Sequence, residues 1–109
     1  MPSPSGSSAE GGLVRAVKRV ELVLPAPEVT GLLALLDELG VHDYTAVKGV
    51  SGRGSRGTRG DDPFGTFDNT YVLIACEPDE LDRIIDTVRP LLTRRGGMCL
   101  VSDAVWVRH

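Results

Sequence analysis

The chain has 109 residues, room for one small domain whose core cannot also enclose a large internal site. With 41% hydrophobic, 25% charged and only 5% aromatic residues, it is an ordinary globular composition whose core must come mostly from Leu, Val, Ile and Ala. A formal net charge of −3 argues against a general nucleic-acid coat protein, two cysteines are too few for a disulfide framework or a metal cluster, and no apolar run approaches the roughly 20 residues of a membrane span.

Residues 1–12 are dominated by Pro, Ser and Gly and carry no periodic pattern, so they are expected to be a disordered tail. They lack the charged segment and apolar run of a secretory signal. Arg15 to Leu24 alternates charged and apolar residues and predicts a first strand, with an offset near Arg19 that suggests a bulge. Pro25-Ala26-Pro27 ends that strand and opens a helix, in which Val29, Leu32, Leu33, Leu36 and Leu39 recur at helical spacing up to the stop signal Gly40. Asp43 to Ser51 predicts a second strand, entered through Tyr44 and Thr45.

Asn69 to Cys76 is nearly continuously apolar, as a central strand would be. Pro78 suits the first turn of a second helix, with Asp79, Glu80 and Asp82 at its positive end and Leu81, Ile84, Ile85, Val88, Leu91 and Leu92 as its buried stripe. Pro90 is expected to kink or tighten the last turn, Gly96-Gly97 to close the helix, and Met98 to Val107 to form a fourth strand. Cys76 and Cys99 both lie in apolar runs and predict buried free thiols, as in a reducing cytoplasm. The order βαββαβ, with right-handed crossovers, predicts an α+β ferredoxin-like fold: a four-stranded antiparallel sheet with both helices on one face. The other face would then be bare, which predicts a homo-oligomer whose sheets face inward.

Between the second and third strands, Gly49, Gly52, Gly54, Gly57 and Gly60 alternate with Arg53, Arg56 and Arg59. Glycines leave backbone N–H groups uncovered, and guanidinium forks pair with phosphate or carboxylate oxygens, so the loop is suited to closing on an anion. Gly52-x-Gly54-x-x-Gly57 has the dinucleotide-binding spacing, but Thr58-Arg59-Gly60-Asp61-Asp62-Pro63 starts no helix, and a pyrophosphate needs a helix N-terminus there. No Gly-Lys-Ser/Thr follows, so it is no Walker A loop either. Arg-Gly repeats also bind RNA, but no aromatic residue is interleaved between Gly52 and Gly60 and two aspartates follow. His42 and His109 stand in no recognised catalytic arrangement, and Asp61-Asp62 alone makes a poor metal site. No catalytic or metal-binding residue is assigned. Arg94 and Arg95 complement the second helix's dipole, and with the amides of Gly96 and Gly97 they could clamp a phosphate.

Gly40-Val41-His42-Asp43-Tyr44-Thr45, followed by Gly52-Arg53-Gly54-Ser55-Arg56, resembles a run found in the PII signalling superfamily, and within it the PII-like proteins of inorganic-carbon uptake. The resemblance spans Arg15 to about Val107. It implies a PII-like domain over residues 13–109, with a T-loop at about 52–67 and a B-loop at about 94–98. It further implies a cytoplasmic, non-enzymatic homotrimer with no tightly bound cofactor, binding an adenine nucleotide as effector in clefts between subunits. By position, Thr45 would approach the adenine, Gly52, Arg53, Gly54, Ser55 and Arg56 would line the phosphates, and Arg95, Gly96 and Gly97 would form the phosphate-binding turn. Arg53, Arg56 and Arg59 could also hold bicarbonate, and the loop could dock on a membrane transporter of inorganic carbon. Met98 stands where nitrogen-regulatory members carry a lysine, which favours AMP or ADP over ATP. An oligomeric interaction module without a nucleotide ligand, or an Arg-Gly loop that binds RNA, are the other readings the residues allow.

Overall fold

The computed structural model describes residues 12–50, 53–54, 57–58 and 69–109. Its elements are β1 (Val14–Pro25), α1 (Ala26–Glu38), β2 (Tyr44–Val50), β3 (Arg53–Gly54), β4 (Gly57–Thr58), β5 (Asn69–Cys76), a 3-10 turn (Pro78–Glu80), α2 (Leu81–Arg95) and β6 (Met98–Val107). The main sheet has the order β2-β5-β1-β6 with every neighbouring pair antiparallel, which is the ferredoxin-like arrangement expected from the sequence. Strand β5 is central, as its apolar run requires. Strands β3 and β4 form a separate two-stranded ribbon, Arg53 opposite Thr58 and Gly54 opposite Gly57.

Strand registers assign each side chain to a face, because neighbours along a strand point to opposite sides. Val20, Leu22 and Leu24 of β1 share a face with Val72 and Ile74 of β5, and all five are fully buried beneath the helices. The helices contribute Val29, Leu32 and Leu36 from α1 and Ile84, Val88 and Leu91 from α2. Burial of such side chains stabilises the domain by about 1.5–3 kcal/mol each before chain entropy is subtracted.

The helix ends follow from local chemistry. Proline stands in the first turn of α1, and at its far end Gly40 adopts φ 79° while the Val41 N–H bonds the Leu36 carbonyl at 2.9 Å. Before α2, Glu77 and Glu80 form a reciprocal capping box, with the Glu77 N–H donating to Glu80 Oε1 at 2.8 Å. Helix α2 continues through Pro90 to Arg95, where Gly96 ends it at φ 79°.

Two local expectations change. No bulge occurs near Arg19: β1 keeps an unbroken register with both β5 and β6. An extra residue there would break two ladders at once. The irregularity lies between Lys48 and Val50 of β2, an edge strand with one ladder to disturb, where Gly49 takes φ 76°. Val17, two residues before Arg19, accordingly falls on the face opposite Val20 and Leu22, yet it is buried. The second change concerns the thiols: Cys76 is buried as expected, whereas Cys99 is only partly so.

The face away from the helices is left open. Val47 of β2 and Met98 and Leu100 of β6 lie on it with 48%, 37% and 55% of their surface exposed. Beside them runs a polar chain: Tyr71 OH donates to Glu21 Oε2 at 2.9 Å, Glu21 lies 3.5 Å from Arg19 Nε, and Arg19 donates to Ser102 Oγ at 3.0 Å. Burial first, then the hydrogen bond to Glu21, raises the Tyr71 pKa. Among the described residues, no helix is long and apolar enough to cross a membrane.

Candidate functional site

Two groups of candidate residues emerge, toward opposite ends of the sheet. The first is the turn after α2. Gly97 adopts φ 121°, and a Cβ there would run into the Val23 carbonyl oxygen and press on Leu24 and Leu92 methyls at 3.3 Å. Only glycine fits, so the chain passes tightly against the end of β1 and then enters β6. Arg95, the last residue of α2, does not point freely at this turn: its Nε lies 2.6 Å from Glu28 Oε1 in the first turn of α1.

The base of the glycine-arginine loop lies at this same end of the sheet. Val50 pairs with Asn69, and Asn69 pairs with Pro25, where α1 begins. Asn69 is fully buried, and among the described residues neither its amide oxygen nor its nitrogen has a hydrogen-bond partner. Of the loop residues proposed to line an anion, Gly52, Ser55, Arg56 and Arg59 lie outside the described residues, as do residues 1–11 of the tail. The backbone of Arg53 and Gly54 forms β3.

Thr45 belongs to the second group. It sits on β2 opposite Leu73, on the open face. With Leu73, Ala75, His42, Asp43 and Trp106 it lines a hollow of about 250 Å³. That is just below the roughly 300 Å³ at which pockets begin to hold whole drug-sized ligands, so it suits a flat fragment better than an entire nucleotide. Trp106, the single tryptophan of the chain, faces Arg15 across the β1–β6 ladder, with the guanidinium carbon 5.8 Å from the ring centroid. Arg15 is in turn paired with Glu77, so the ring is braced from the α2 capping box. At the rim, Asp37 accepts a hydrogen bond from Tyr44 OH at 3.1 Å and lies 3.6 Å from His42 Nδ1. The bond to Asp37 is the main cause of a raised Tyr44 pKa.

Strands β2 and β6 are the two edges, three strand spacings apart, so Thr45 and Gly97 of one chain are separated by at least about 14 Å across the sheet. The expected contacts to base and phosphate are therefore not brought together within one chain. Sequence reasoning missed Trp106, Glu28 and Asn69. A lone tryptophan on a strand in an aromatic-poor chain was a usable signal. The other two had none, because their significance rests on contacts across the fold.

Elsewhere the chemistry is quiet. Both thiols are pushed to higher pKa, chiefly by burial, which keeps them protonated and unreactive near neutral pH. Among the described residues no group of three or more His, Cys, Asp or Glu could hold a metal ion.

The class of protein defined here is a ferredoxin-like domain carrying a long glycine-arginine loop between its second and third main strands, with a glycine turn at the loop's end of the sheet. The family model of nitrogen regulatory protein P-II matches residues 17–109, and the chain belongs to this family. Among solved structures it is similar to CPII, a nitrogen regulatory PII-like protein of Thiomonas intermedia bound to ADP, AMP and bicarbonate (23% identity, 88% of this chain and 98% of that one covered, TM-score 0.75). A PII-like signaling protein from Thermus thermophilus matches at 23% identity, covering 87% and 93%, with a TM-score of 0.68. The GlnK–ATP complex of B. subtilis matches at 18%, covering 82% of each chain, with a TM-score of 0.61. No curated protein matches.

Proposed function

We propose that this chain is a sensor of adenine nucleotides, with AMP or ADP favoured over ATP, acting as a homotrimer. One observation carries the reading: Thr45 and the Arg95-Gly96-Gly97 turn lie on opposite edges of a sheet whose uncovered face exposes the apolar residues Val47, Met98 and Leu100. Packing such faces together covers Val47, Met98 and Leu100 and sets one chain's β2 edge against another's glycine turn. The base then enters the hollow at Thr45 and stacks on Trp106. The phosphates reach Arg95, Gly96 and Gly97 of the neighbouring copy, together with Gly52, Arg53, Gly54, Ser55 and Arg56 at the loop base. Met98 following the turn adds no cation, which favours fewer phosphates.

The nucleotide acts by population shift. Phosphate contacts change the affinity of the loop at 52–67 for a partner, for which a coupling of about 1–3 kcal/mol suffices. CPII, solved with ADP, AMP and bicarbonate, supports the same ligands here, with bicarbonate among Arg53, Arg56 and Arg59. In this reading the partner is a membrane transporter of inorganic carbon, and the protein acts in the cytoplasm as a regulator without enzymatic activity.

Calorimetry at about 100 μM protein, suited to weak micromolar sites, is expected to give heat with AMP and ADP. Trp106 emission should change with AMP but not with ribose 5-phosphate, and solution mass should equal three chains. No heat with AMP, ADP or ATP overturns the proposal in favour of a ligand-free interaction module.

A further inference from the structure

The contact between Glu28 and Arg95 joins the first turn of α1 to the last residue of α2. Each residue is well placed without the other, an acid at a helix's positive end and a base at a negative end. Arg95 is 62% exposed, and a pair with one arm in water contributes little to stability. The fold does not need this contact. Its consequence lies with the residues that follow, Gly96 and Gly97, where the backbone turns at φ 79° and 121°. The Glu28 carboxylate is 20% exposed, a sheltered negative charge fixed beside that turn.

Resting on the reading of Arg95, Gly96 and Gly97 as phosphate contacts, we infer that Glu28 is an internal competitor for Arg95 and sets how many phosphates the site accepts. An incoming phosphate must share the guanidinium fork with Glu28 or take it over. A single phosphate can do so, because the displaced pair is weak. Each further phosphate brings more negative charge near the same carboxylate, and the repulsion grows with it. Affinity therefore falls from AMP to ADP to ATP.

The test is calorimetry of the full chain and Glu28→Gln with AMP, ADP and ATP at fixed ionic strength. Glu28→Gln is expected to bind AMP about threefold and ATP about tenfold more tightly, with a melting temperature close to that of the parent. The gain should shrink when Arg95→Gln is also present. Glu38→Gln, which removes the same charge at the far end of α1, should change nothing. Equal gains for AMP and ATP, or equal gains from Glu38→Gln, overturn the inference. Weaker binding in Glu28→Gln also overturns it and makes Glu28 a positioning residue that holds Arg95 in place. Nucleotide binding by the parent with no change in Glu28→Gln sinks this inference alone, whereas no nucleotide binding by either protein sinks the proposed function with it.

Discussion

The two faces of the sheet are built from the same alternating strands and end in different states. On the helix side, Val20, Leu22, Leu24, Val72 and Ile74 are sealed by two helices, while the β6 edge, at Val101 and Val105, stays exposed. On the other side, Val47, Met98 and Leu100 stay in water beside a polar chain that links Glu21, Tyr71, Arg19 and Ser102. The first face accounts for stability. The second is unfinished in the single chain, and both edges that carry candidate ligand contacts border it. A domain of this size has surface to spare for a partner only because its folding free energy comes from one side.

That contrast breaks most easily at Leu22. Leu22→Ala should cost about 2.7–5 kcal/mol, read as a lowered denaturation midpoint, because the site is fully enclosed and a cavity would remain. Leu100→Asp, on the open face, should leave each chain folded by circular dichroism while lowering the solution mass toward that of one chain. If Leu100→Asp unfolds the chain as Leu22→Ala does, the open face belongs to the core and the contrast fails.

A smaller effect sharpens the contrast at two glycines. Gly97→Ala should destabilise by about 1–3 kcal/mol, since its φ of 121° and the nearby Val23 carbonyl leave no room for a Cβ. It should weaken nucleotide binding as well. Gly31→Ala, in the middle of α1 with nothing within 4 Å of the added Cβ, should instead stabilise by about 0.5–1 kcal/mol. Thermal melts of the two variants decide the matter by the sign of the shift.

Much of the fold was legible in the sequence because its signals are local. Pro25-Ala26-Pro27 and Gly40 bracket α1, the run Asn69 to Cys76 marks a strand buried on both sides by neighbours, and Gly96-Gly97 closes α2. The bulge was misplaced because a break in alternation does not reveal how many neighbours a strand has. Strand β1 has two and cannot tolerate an insertion that the edge strand β2 absorbs at Gly49. The candidate site was less legible. Thr45 and Arg95 could be named, but not their separation across three strand spacings, nor that Arg95 already holds a carboxylate. Such facts depend on residues far apart in sequence, and periodicity carries no trace of them.

The finest distinction lies within the helix-covered face, between its two thiols. Cys76 is sealed on the central strand β5, whereas Cys99 is half-covered on the edge strand β6. Both have pKa values above the ordinary 9.0, Cys76 from burial and then from the nearby carboxylates Glu80 and Asp79, Cys99 from burial. A raised folded-state pKa means that the protonated thiol is favoured by folding. Its contribution to stability is therefore full below about pH 9 and is lost as pH climbs through the higher folded value. Alkylation by iodoacetamide should accordingly be slow for both at pH 8 and fast in denaturant. As pH rises, Cys99 should react first, by mass spectrometry of the labelled peptides, because its edge strand leaves the sulfur a path to reagent. If Cys76 labels first, the core opens at β5 before β6, and the central strand is the weaker part of the helix-covered face.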